Sequence, residues 1–317
     1  MPYVIIGVDG GGTHSRLVAV RNDGHVLGRA EGGSINYKSV PLETCRRNLS
    51  EGINLLLNKL GLSGYDYLSV GHSAWCREES EEEKRRFLGD AFSAKTTYMH
   101  NDVYMALMGA TFGRPGIMLI SGTGSMCAGL DVEGRIYFLG GWGYLFGDEG
   151  SCYHIAIQGL RAAVHAYEGA IPTGIVEKLL ARYRINDLRE LLNIFYNPPV
   201  SVRDIASIAQ DVLACAEEGD AVAREIVDNA VKILAELTLN MSQRIRLPSI
   251  HVGVYGGLFE HNHQILQHFK EVLSKSGQIF TVSLPEFPPE LGAVIHFFME
   301  NQLFTDEVLS NIRRTFF

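Results

Sequence analysis

The sequence has no long apolar run and no excess of positive charge. No segment approaches the ~18 consecutive apolar residues that a membrane-spanning helix needs. Basic residues number 28 and acidic residues 36, a net charge of −8, which argues against nucleic acid or an anionic membrane as the main partner. The N-terminus enters an apolar segment directly, without the basic region or cleavage site of a secretory signal. We therefore expect a cytoplasmic protein.

Metal and dinucleotide motifs are also missing. The 5 cysteines are scattered without a CxxC pair, which indicates neither a zinc knuckle nor an iron–sulfur ligand set. An HExxH pattern and the phosphate loop GxxxxGKS/T are absent. Gly10 and Gly12 are not followed by the third glycine of a dinucleotide fingerprint, and they open a hairpin instead of a helix.

Glycine, in contrast, is in excess. It makes up 34 of 317 residues, about 11% where ~7% is usual. The glycines are clustered: GGG at 10–12, GTG at 122–124, GGWG at 140–143, GDEG at 147–150 and GG at 256–257. One glycine satisfies a hairpin turn that needs positive φ. Three together indicate that a ligand approaches the backbone closely.

The order of apolar segments predicts an α/β protein with two related halves. Each half opens with an apolar strand, a glycine-and-hydroxyl turn, a strand, an acidic turn with glycine and a third strand, at 3–31 and 117–139. Strands and helices then alternate. A break at Arg114-Pro115-Gly116 predicts an N-terminal domain, residues 1–115, and a C-terminal domain, residues 116–317. Two such halves commonly bind a ligand in the cleft between them.

The two glycine-and-hydroxyl turns predict a phosphate ligand. Main-chain N–H groups can hold phosphate oxygens where no Cβ keeps the backbone away. Either turn alone is best interpreted as a structural turn. Only the occurrence of the same turn in both halves favours a polyphosphate that both halves bind. The candidate phosphate-binding residues are Gly11, Gly12 and Thr13, with Ser15 as a further hydroxyl donor, and Gly122, Thr123, Gly124 and Ser125.

Four motifs together resemble a known family. IGVDGGGTHS, LISGTGS, GGWGYLFGDEGS and VYGG, in this order, resemble the N-acetylglucosamine kinase family, which is grouped with the BadF/BadG ATPases. The resemblance covers residues 4 to about 296, and GGWG-x3-GDEGS is its most specific part. It implies two ribonuclease-H-like (actin-like ATPase) domains with a ligand cleft between them. It also implies transfer of the γ-phosphate of ATP to the 6-hydroxyl of N-acetylglucosamine or a close relative.

Transfer of a phosphate to a hydroxyl needs a metal that spreads the phosphate charge and a carboxylate that accepts the proton. Asp9 ends the first strand beside the glycine turn, and we expect it to bind Mg²⁺ through water. The resemblance makes Asp102 the catalytic base, oriented by Asn101. From local sequence alone, Asp102 is better interpreted as the N-cap of a helix over 103–110.

The resemblance also assigns the remaining ligand contacts. It places Gly256 and Gly257 against the adenosine. It gives sugar contacts to Asn36, Ser73, Asn101, Gly141, Trp142 and Asp148, of which Ser73 is the weakest because VGHSAW departs from the family pattern. From the residues alone, Trp142 is either a core aromatic side chain between tight turns or an apolar wall against the sugar. Asp148 is likewise an acid in the first turn of a helix over 149–167, where it suits the helix dipole.

Several alternatives stay open. The substrate is expected to be a small sugar, and glucosamine, glucose and N-acetylmuramic acid compete with N-acetylglucosamine. An ATPase activator of a radical enzyme would need cysteines for a bridging cluster, and a repressor-like sugar kinase would need a zinc motif. A homodimer is expected only because dimers are the commonest oligomers. The apolar tail NIRRTFF either contacts a second copy or packs back on the first domain.

Overall fold

The computed structural model describes residues 2–75, 80–88, 95–197 and 200–317. Within them the chain forms ten strands. They are β1 (Val4–Gly10), β2 (His14–Arg21), β3 (Val26–Gly33), β4 (Tyr67–His72), β5 (Thr96–Asn101), β6 (Gly116–Ser121), β7 (Ser125–Leu130), β8 (Ile136–Gly140), β9 (Ser249–Tyr255) and β10 (Ile279–Ser283).

The same residues form thirteen α-helices and one short 3₁₀ turn at Leu188–Glu190. The helices are α1 (Leu42–Leu60), α2 (Glu81–Leu88), α3 (Asp102–Thr111), α4 (Cys152–Tyr167), α5 (Ile175–Tyr183), α6 (Leu191–Tyr196), α7 (Val202–Ser207), α8 (Ala209–Glu217), α9 (Ala221–Ile245), α10 (Gly257–Glu260), α11 (His263–Ser274), α12 (Pro289–Glu300) and α13 (Asp306–Phe316). The start of the helix predicted over 78–88 and Cys76 lie outside the described residues.

The strands form two five-stranded sheets with the same order. The first sheet has the order β3-β2-β1-β4-β5, and the second, read from β8, has the equivalent order β8-β7-β6-β9-β10. In the first sheet β1, β2 and β3 pair antiparallel, and β1, β4 and β5 pair parallel. This repeat confirms the predicted α/β fold, in which each half opens with three consecutive strands.

The chain divides into two compact units. Unit 1 comprises Met1–Met118, Ala128–Phe138 and Pro285–Phe317, and unit 2 comprises Leu119–Cys127 and Leu139–Leu284. The division therefore falls within β6, β7 and β8. It assigns the last two helices of the chain to unit 1.

Unit 1 has helices on both faces of its sheet. Ile6 and Val8 of β1 lie in a buried cluster with the apolar side chains of α1. Gly7, which alternates with them, faces α12, and a Cβ there would lie 2.1 Å from the Glu290 carbonyl oxygen. At Gly292 a Cβ would lie 1.8 Å from the carbonyl oxygen of Met105, so α12 and α3 touch backbone to backbone. Glycine thus sets the position of both helices.

The C-terminal helix α13 packs on β3. Val26 N–H donates to Thr315 Oγ1 at 2.9 Å, and the Asn311 side chain donates to the carbonyl of Asp23 at 2.8 Å. The Arg29 guanidinium lies 4.3 Å from the centre of the Phe316 ring. The tail is therefore tied to unit 1 by polar and aromatic contacts.

Unit 2 departs from the sequence expectations at two helices. The helix predicted over 149–167 begins at Cys152, and Ser151 is its N-cap, accepting from His154 N–H at 3.2 Å. The helix predicted over 201–216 is divided into α7 and α8 at Ile208. Among the helices of the described residues, none has the length and apolar character that a bilayer crossing requires.

Candidate functional site

The first glycine turn joins β1 and β2. Its glycines are needed because a side chain would collide with neighbouring atoms, not because the backbone has a conformation that only glycine favours. Gly10, Gly11 and Gly12 do not have positive φ. A Cβ at Gly10 would lie 2.4 Å from Cδ1 of Ile35, and one at Gly11 would lie 2.9 Å from the carbonyl oxygen of His14. The interpretation as a turn that needs positive φ is therefore wrong for these three residues.

The open part of this turn is Gly12 and Thr13, which are both exposed. A Cβ at Gly12 would make only ordinary contacts, at 3.5 Å or more. Gly11 N–H already donates to the carbonyl of His14 at 3.1 Å. Ser15 is buried and donates to the Gly33 carbonyl at 3.0 Å, so its expected contribution to ligand binding is wrong.

The register of unit 1 brings two candidate carboxylates to the same sheet edge. Asp9 pairs with Gly71 of β4, and Gly71 pairs with His100 of β5. Asp102 follows two residues after His100, at the start of α3. A Cβ at Gly71 would lie 3.3 Å from the Cα of Asp102, so this glycine lets α3 begin close to β4. The carboxyl ends of parallel strands are where α/β folds bind ligands.

Asn101 fixes the position of Asp102. Its Oδ1 accepts from Val103 N–H at 2.8 Å as the N-cap of α3, and its Nδ2 donates to the carbonyl of Trp75. Asp102 is the first helical residue, and its Oδ1 also accepts from Val103 N–H at 2.8 Å. The N-cap interpretation of Asp102 is therefore wrong, because Asn101 has that role.

Burial and like charge make Asp102 a weaker acid. Burial, and after it the charge of Asp9, raise the pKa of Asp102 to about 7, although the hydrogen bond from Val103 N–H opposes this rise. Burial also raises the pKa of Asp9, which Arg16 opposes from 4.0 Å. A carboxyl with a pKa near neutrality is well matched to accept a proton at neutral pH.

Two predicted sugar-contacting residues of unit 1 meet beside the glycine turn. Asn36 Nδ2 donates to Ser73 Oγ at 2.9 Å, and Ser73 N–H donates to the Gly10 carbonyl at 3.0 Å. Asn36 Oδ1 accepts from Lys38 N–H at 2.8 Å. The unit 1 site thus joins Asp9, Gly12, Thr13, Asn36, Ser73, Asn101 and Asp102.

In unit 2 the second glycine turn is held by the segment that contains GDEGS. Ser125 Oγ donates to the Glu149 carbonyl at 2.7 Å, and Ser121 Oγ donates to the Gly150 carbonyl at 3.1 Å. Cys152 N–H donates to the Gly122 carbonyl at 2.9 Å. Thr123 is exposed at the tip of the turn, and no atom would lie within 4 Å of a Cβ at Gly122. Two motifs that are far apart in the sequence therefore form one structure.

Asp148 belongs to this structure directly. Its Oδ1 accepts from Ser125 N–H at 3.2 Å, and a Cβ at Gly124 would lie 2.8 Å from its Oδ2. Its φ of 55° is uncommon for a residue other than glycine. Burial raises the pKa of Asp148, and the Ser125 hydrogen bond lowers it. Because α4 begins at Cys152, the first-turn interpretation of Asp148 is wrong.

The alternative interpretation of Trp142 as a core aromatic side chain is also wrong. Trp142 is 74% exposed, and Leu145 and Phe146 after it are exposed too. Gly141 has φ 71°, and its N–H donates to the carbonyl of Ser125 at 3.0 Å. The exposed Trp142 side chain therefore follows directly on a residue that is hydrogen-bonded to the second glycine turn.

Gly256 and Gly257 close β9 in different ways. Gly256 has φ 100°, and a Cβ there would lie 2.4 Å from the carbonyl oxygen of Ser121. Gly257 is exposed, and no atom lies within 4 Å of the corresponding Cβ position. The first glycine therefore brings β9 against the start of the second glycine turn, and the second stays open. The unit 2 site joins Gly122, Thr123, Gly124, Ser125, Gly141, Trp142, Asp148, Gly256 and Gly257.

The sequence reasoning missed three residues of the unit 1 site. Gly71 and Gly7 let α3 and α12 approach the sheet, and Glu290 lies in the first turn of α12. A glycine inside an apolar strand is a signal of close backbone approach, and VIIGVDG and YLSVGH both carry it. PPELG indicates a helix start, but nothing in it indicates that Glu290 is 3% exposed.

Comparison with known proteins identifies the family of the chain. The model of the BadF/BadG/BcrA/BcrD ATPase family matches residues 6–296. The chain belongs to this family. It is 32% identical over 306 residues to a protein of Clostridium acetobutylicum named N-acetylmuramic acid/N-acetylglucosamine kinase, covering 93% of this chain and 98% of that protein. It is 28% identical over 269 residues to N-acetyl-D-glucosamine kinase of Dictyostelium discoideum, covering 79% of this chain and 84% of that protein.

Solved structures confirm the fold of this member of the family. An N-acetylglucosamine kinase structure from Chromobacterium violaceum aligns with TM-score 0.69 and 23% identity, covering 92% of this chain and 98% of that one. A ROK family glucokinase from Streptomyces griseus, in complex with glucose and AMPPNP, aligns with TM-score 0.56 and 13% identity, covering 93% and 98%. Both likenesses concern the fold, and the predicted resemblance to actin-like sugar kinases is confirmed.

Proposed function

We propose that the chain is an ATP-dependent amino-sugar kinase that transfers the γ-phosphate of ATP to the 6-hydroxyl of N-acetylglucosamine or a close relative. The observation that carries this proposal is the position of Asp102. It stands at the carboxyl end of β5, is fixed by Asn101, and has a pKa of about 7. The names of the two relatives, both kinases of N-acetylated amino sugars, support the same substrate class.

Asp102 is the proposed base. Its carboxylate accepts the proton of the sugar hydroxyl as that oxygen attacks the γ-phosphorus, and the bond from phosphorus to the bridging oxygen of ADP breaks. Asn101 holds the start of α3, so the carboxylate is oriented before substrate arrives. The hydrogen-bonded pair Asn36 and Ser73 lies beside the glycine turn and offers polar contacts to the sugar.

The carboxylates of unit 1 fit a magnesium ion that is bound mainly through water. Mg²⁺ typically takes one or two carboxylates, several waters and substrate phosphates. The Asp9 side chain is 18% exposed, and the buried Glu290 Oε2 has no hydrogen-bond partner among the described residues. In the part of the chain that the structure describes, no group of three or more His, Cys, Asp or Glu side chains could ligate a metal directly. Bound there, the ion would offset the charge of the phosphates.

Main-chain groups supply the phosphate contacts in this proposal. The exposed residues Gly12 and Thr13 offer main-chain N–H groups in unit 1, and the exposed Thr123 with the half-buried Gly124 does so in unit 2. Gly257 leaves open backbone for the adenosine. In unit 2, Asp148 and Trp142 offer a carboxylate and an aromatic face to the sugar, a common pairing of polar and apolar contact.

The alternative substrates are separated by one assay. ATP consumption is measured by coupled ADP detection with N-acetylglucosamine, N-acetylmuramic acid, glucosamine and glucose in turn, and without sugar. We expect the highest kcat/KM with one of the two N-acetylated sugars. ADP formation that is equally fast without any sugar would instead favour an ATPase activator, and failure of all four sugars would reject the proposal.

The pKa of Asp102 sets the expected pH dependence. The base must be ionised to accept a proton, so protonation below a pKa of about 7 removes activity. We expect kcat/KM for the sugar to rise roughly tenfold per pH unit on the acid side and to level off above about pH 7. Initial rates at saturating ATP over this range measure it. A flat profile between acidic and neutral pH would contradict the assignment.

A homodimer and a cytoplasmic location stay predictions from the sequence.

A further inference from the structure

Glu290 is a buried acid for which the roles above give no reason. It lies in the first turn of α12, is 3% exposed, and its Oε2 has no hydrogen-bond partner among the residues described. Burying an ionised carboxylate without a partner is costly. An acid in the first turn of a helix gains only modestly from the helix dipole, and that gain does not require burial. The position therefore indicates a partner of positive charge.

The packing of α12 directs Glu290 toward the edge that carries Asp9. At its start, α12 presses on Gly7, where a Cβ would lie 2.1 Å from the Glu290 carbonyl oxygen. Further along α12, the ring centre of Phe297 lies 6.2 Å from that of Tyr3, the residue directly before β1. The helix thus runs antiparallel to β1, with its N-terminus at the carboxyl end of the strand. Helical side chains lean toward the helix N-terminus, so Glu290 leans toward Asp9.

Charges of both signs act on Glu290: one carboxylate, Asp9, and two guanidinium groups, Arg16 and Arg29. Burial, and to a smaller extent the charge of Asp9, raise the pKa of Glu290 to about 7, while a main-chain hydrogen bond, Arg16 and Arg29 oppose this rise. Asp9 in turn raises the pKa of Asp102. Asp9 therefore acts electrostatically on both Glu290 and Asp102. Arg16 lies 4.0 Å from it, at the limit of an ion pair.

We propose that Glu290 is a positioning residue of the magnesium site, which holds a water of the hydrated ion from the α12 side while Asp9 faces it from β1. The proposal rests on the kinase function proposed above. It follows from the unpartnered Oε2, from the direction of α12 and from the lack of direct three-residue ligation in the described chain. A hydrated divalent ion supplies a positive charge that the unpartnered Oε2 of Glu290 can face through water. Residues that act on a metal through water tune its affinity strongly.

The test measures binding, not turnover. Mn²⁺ replaces Mg²⁺ as the probe, and the electron paramagnetic resonance signal of free Mn²⁺ is followed as the ion is titrated into the protein with ADP. Glu290→Gln is expected to raise the Kd of Mn²⁺ by roughly tenfold. The Kd of ADP measured in EDTA should change less than twofold. Glu290→Asp keeps the negative charge on a shorter side chain and replaces Glu290→Gln in the test if that variant folds poorly. We expect it to raise the Kd of Mn²⁺ by less than Glu290→Gln does.

Two further variants separate the outcomes. Glu300→Gln makes the same change at the other end of α12, on a side chain that is 54% exposed, and should leave the Kd of Mn²⁺ unchanged. Asp9→Asn should weaken Mn²⁺ binding at least as much as Glu290→Gln. If Asp9→Asn weakens it and both Glu290 variants stay within twofold of wild type, the inference is overturned. If Asp9→Asn also has no effect, the proposed magnesium site itself fails.

Discussion

Asp102→Asn is expected to lower kcat by roughly 10³-fold, because a positioned base contributes about 10²–10⁴-fold to such transfers. The amide keeps the size of the side chain and can still accept from Val103 N–H, but it cannot take the proton of the hydroxyl. Nucleotide affinity should therefore stay within about twofold of wild type. Steady-state kinetics with the preferred sugar, together with calorimetric titration of ADP, measure both quantities.

Asp23→Asn is the matched control for this change. Asp23 lies in the turn between β2 and β3, where the neighbouring Asn22 N–H donates to the Tyr3 carbonyl at 3.1 Å, at the opposite end of β1 from Asp9. The change weakens its ion pair with Arg21, which is partly exposed, and kcat should be unaffected. Turnover of Asp102→Asn close to that of Asp23→Asn would exclude Asp102 as the base.

Gly292→Ala is expected to destabilise the protein by about 3 kcal/mol, at the upper end of ordinary overpacking. The added Cβ would lie 1.8 Å from the Met105 carbonyl oxygen and 2.8 Å from Gly109 N, both main-chain atoms of α3. Main-chain atoms of a packed helix cannot rotate away, so α3 and α12 must separate. Thermal unfolding should shift down by roughly 6–12 °C for a domain of this size.

Gly64→Ala provides the comparison for this variant. No atom lies within 4 Å of a Cβ at Gly64, and its φ is not positive, so the unfolding temperature should change little. Because α3 begins with Asp102, a shift of α3 in Gly292→Ala displaces the proposed base. The fold-decrease in kcat should therefore be larger than the fold-increase in the Kd of the nucleotide. Equal melting temperatures for the two alanine variants would show that α12 and α3 do not touch through their backbones.

The sequence predicted those features of the fold that depend on residues close together in the chain. Apolar strands, the glycine turn at 10–12 and the glycine turn at 122–124 are contiguous in sequence, and their order predicted two similar sheets. The sequence did not reveal why the glycines are needed. Gly10 and Gly11 are required by contacts with Ile35 and His14, which depend on how the turn packs.

The sequence predicted which residues belong to the candidate site, but not which of these residues contact each other. The link from Asp148 to Ser125 joins residues 23 positions apart, and only folding brings them together. The same holds for Glu290, which reaches the Asp9 edge from the far end of the chain because Gly7 admits α12. Local sequence favoured Asp102 as the N-cap of α3. In the structure the preceding residue, Asn101, is the N-cap, because its side chain accepts the hydrogen bond from Val103 N–H.

In the proposed reaction the protein transfers phosphate from ATP to a primary hydroxyl of an amino sugar. Phosphorus NMR of the products, after incubation of the protein with ATP, Mg²⁺ and N-acetylglucosamine, shows which hydroxyl receives the phosphate. We expect one phosphomonoester for each ADP formed, with its phosphorus signal coupled to the two protons on carbon 6. Inorganic phosphate as the only new species, or an ester on carbon 1, would contradict it.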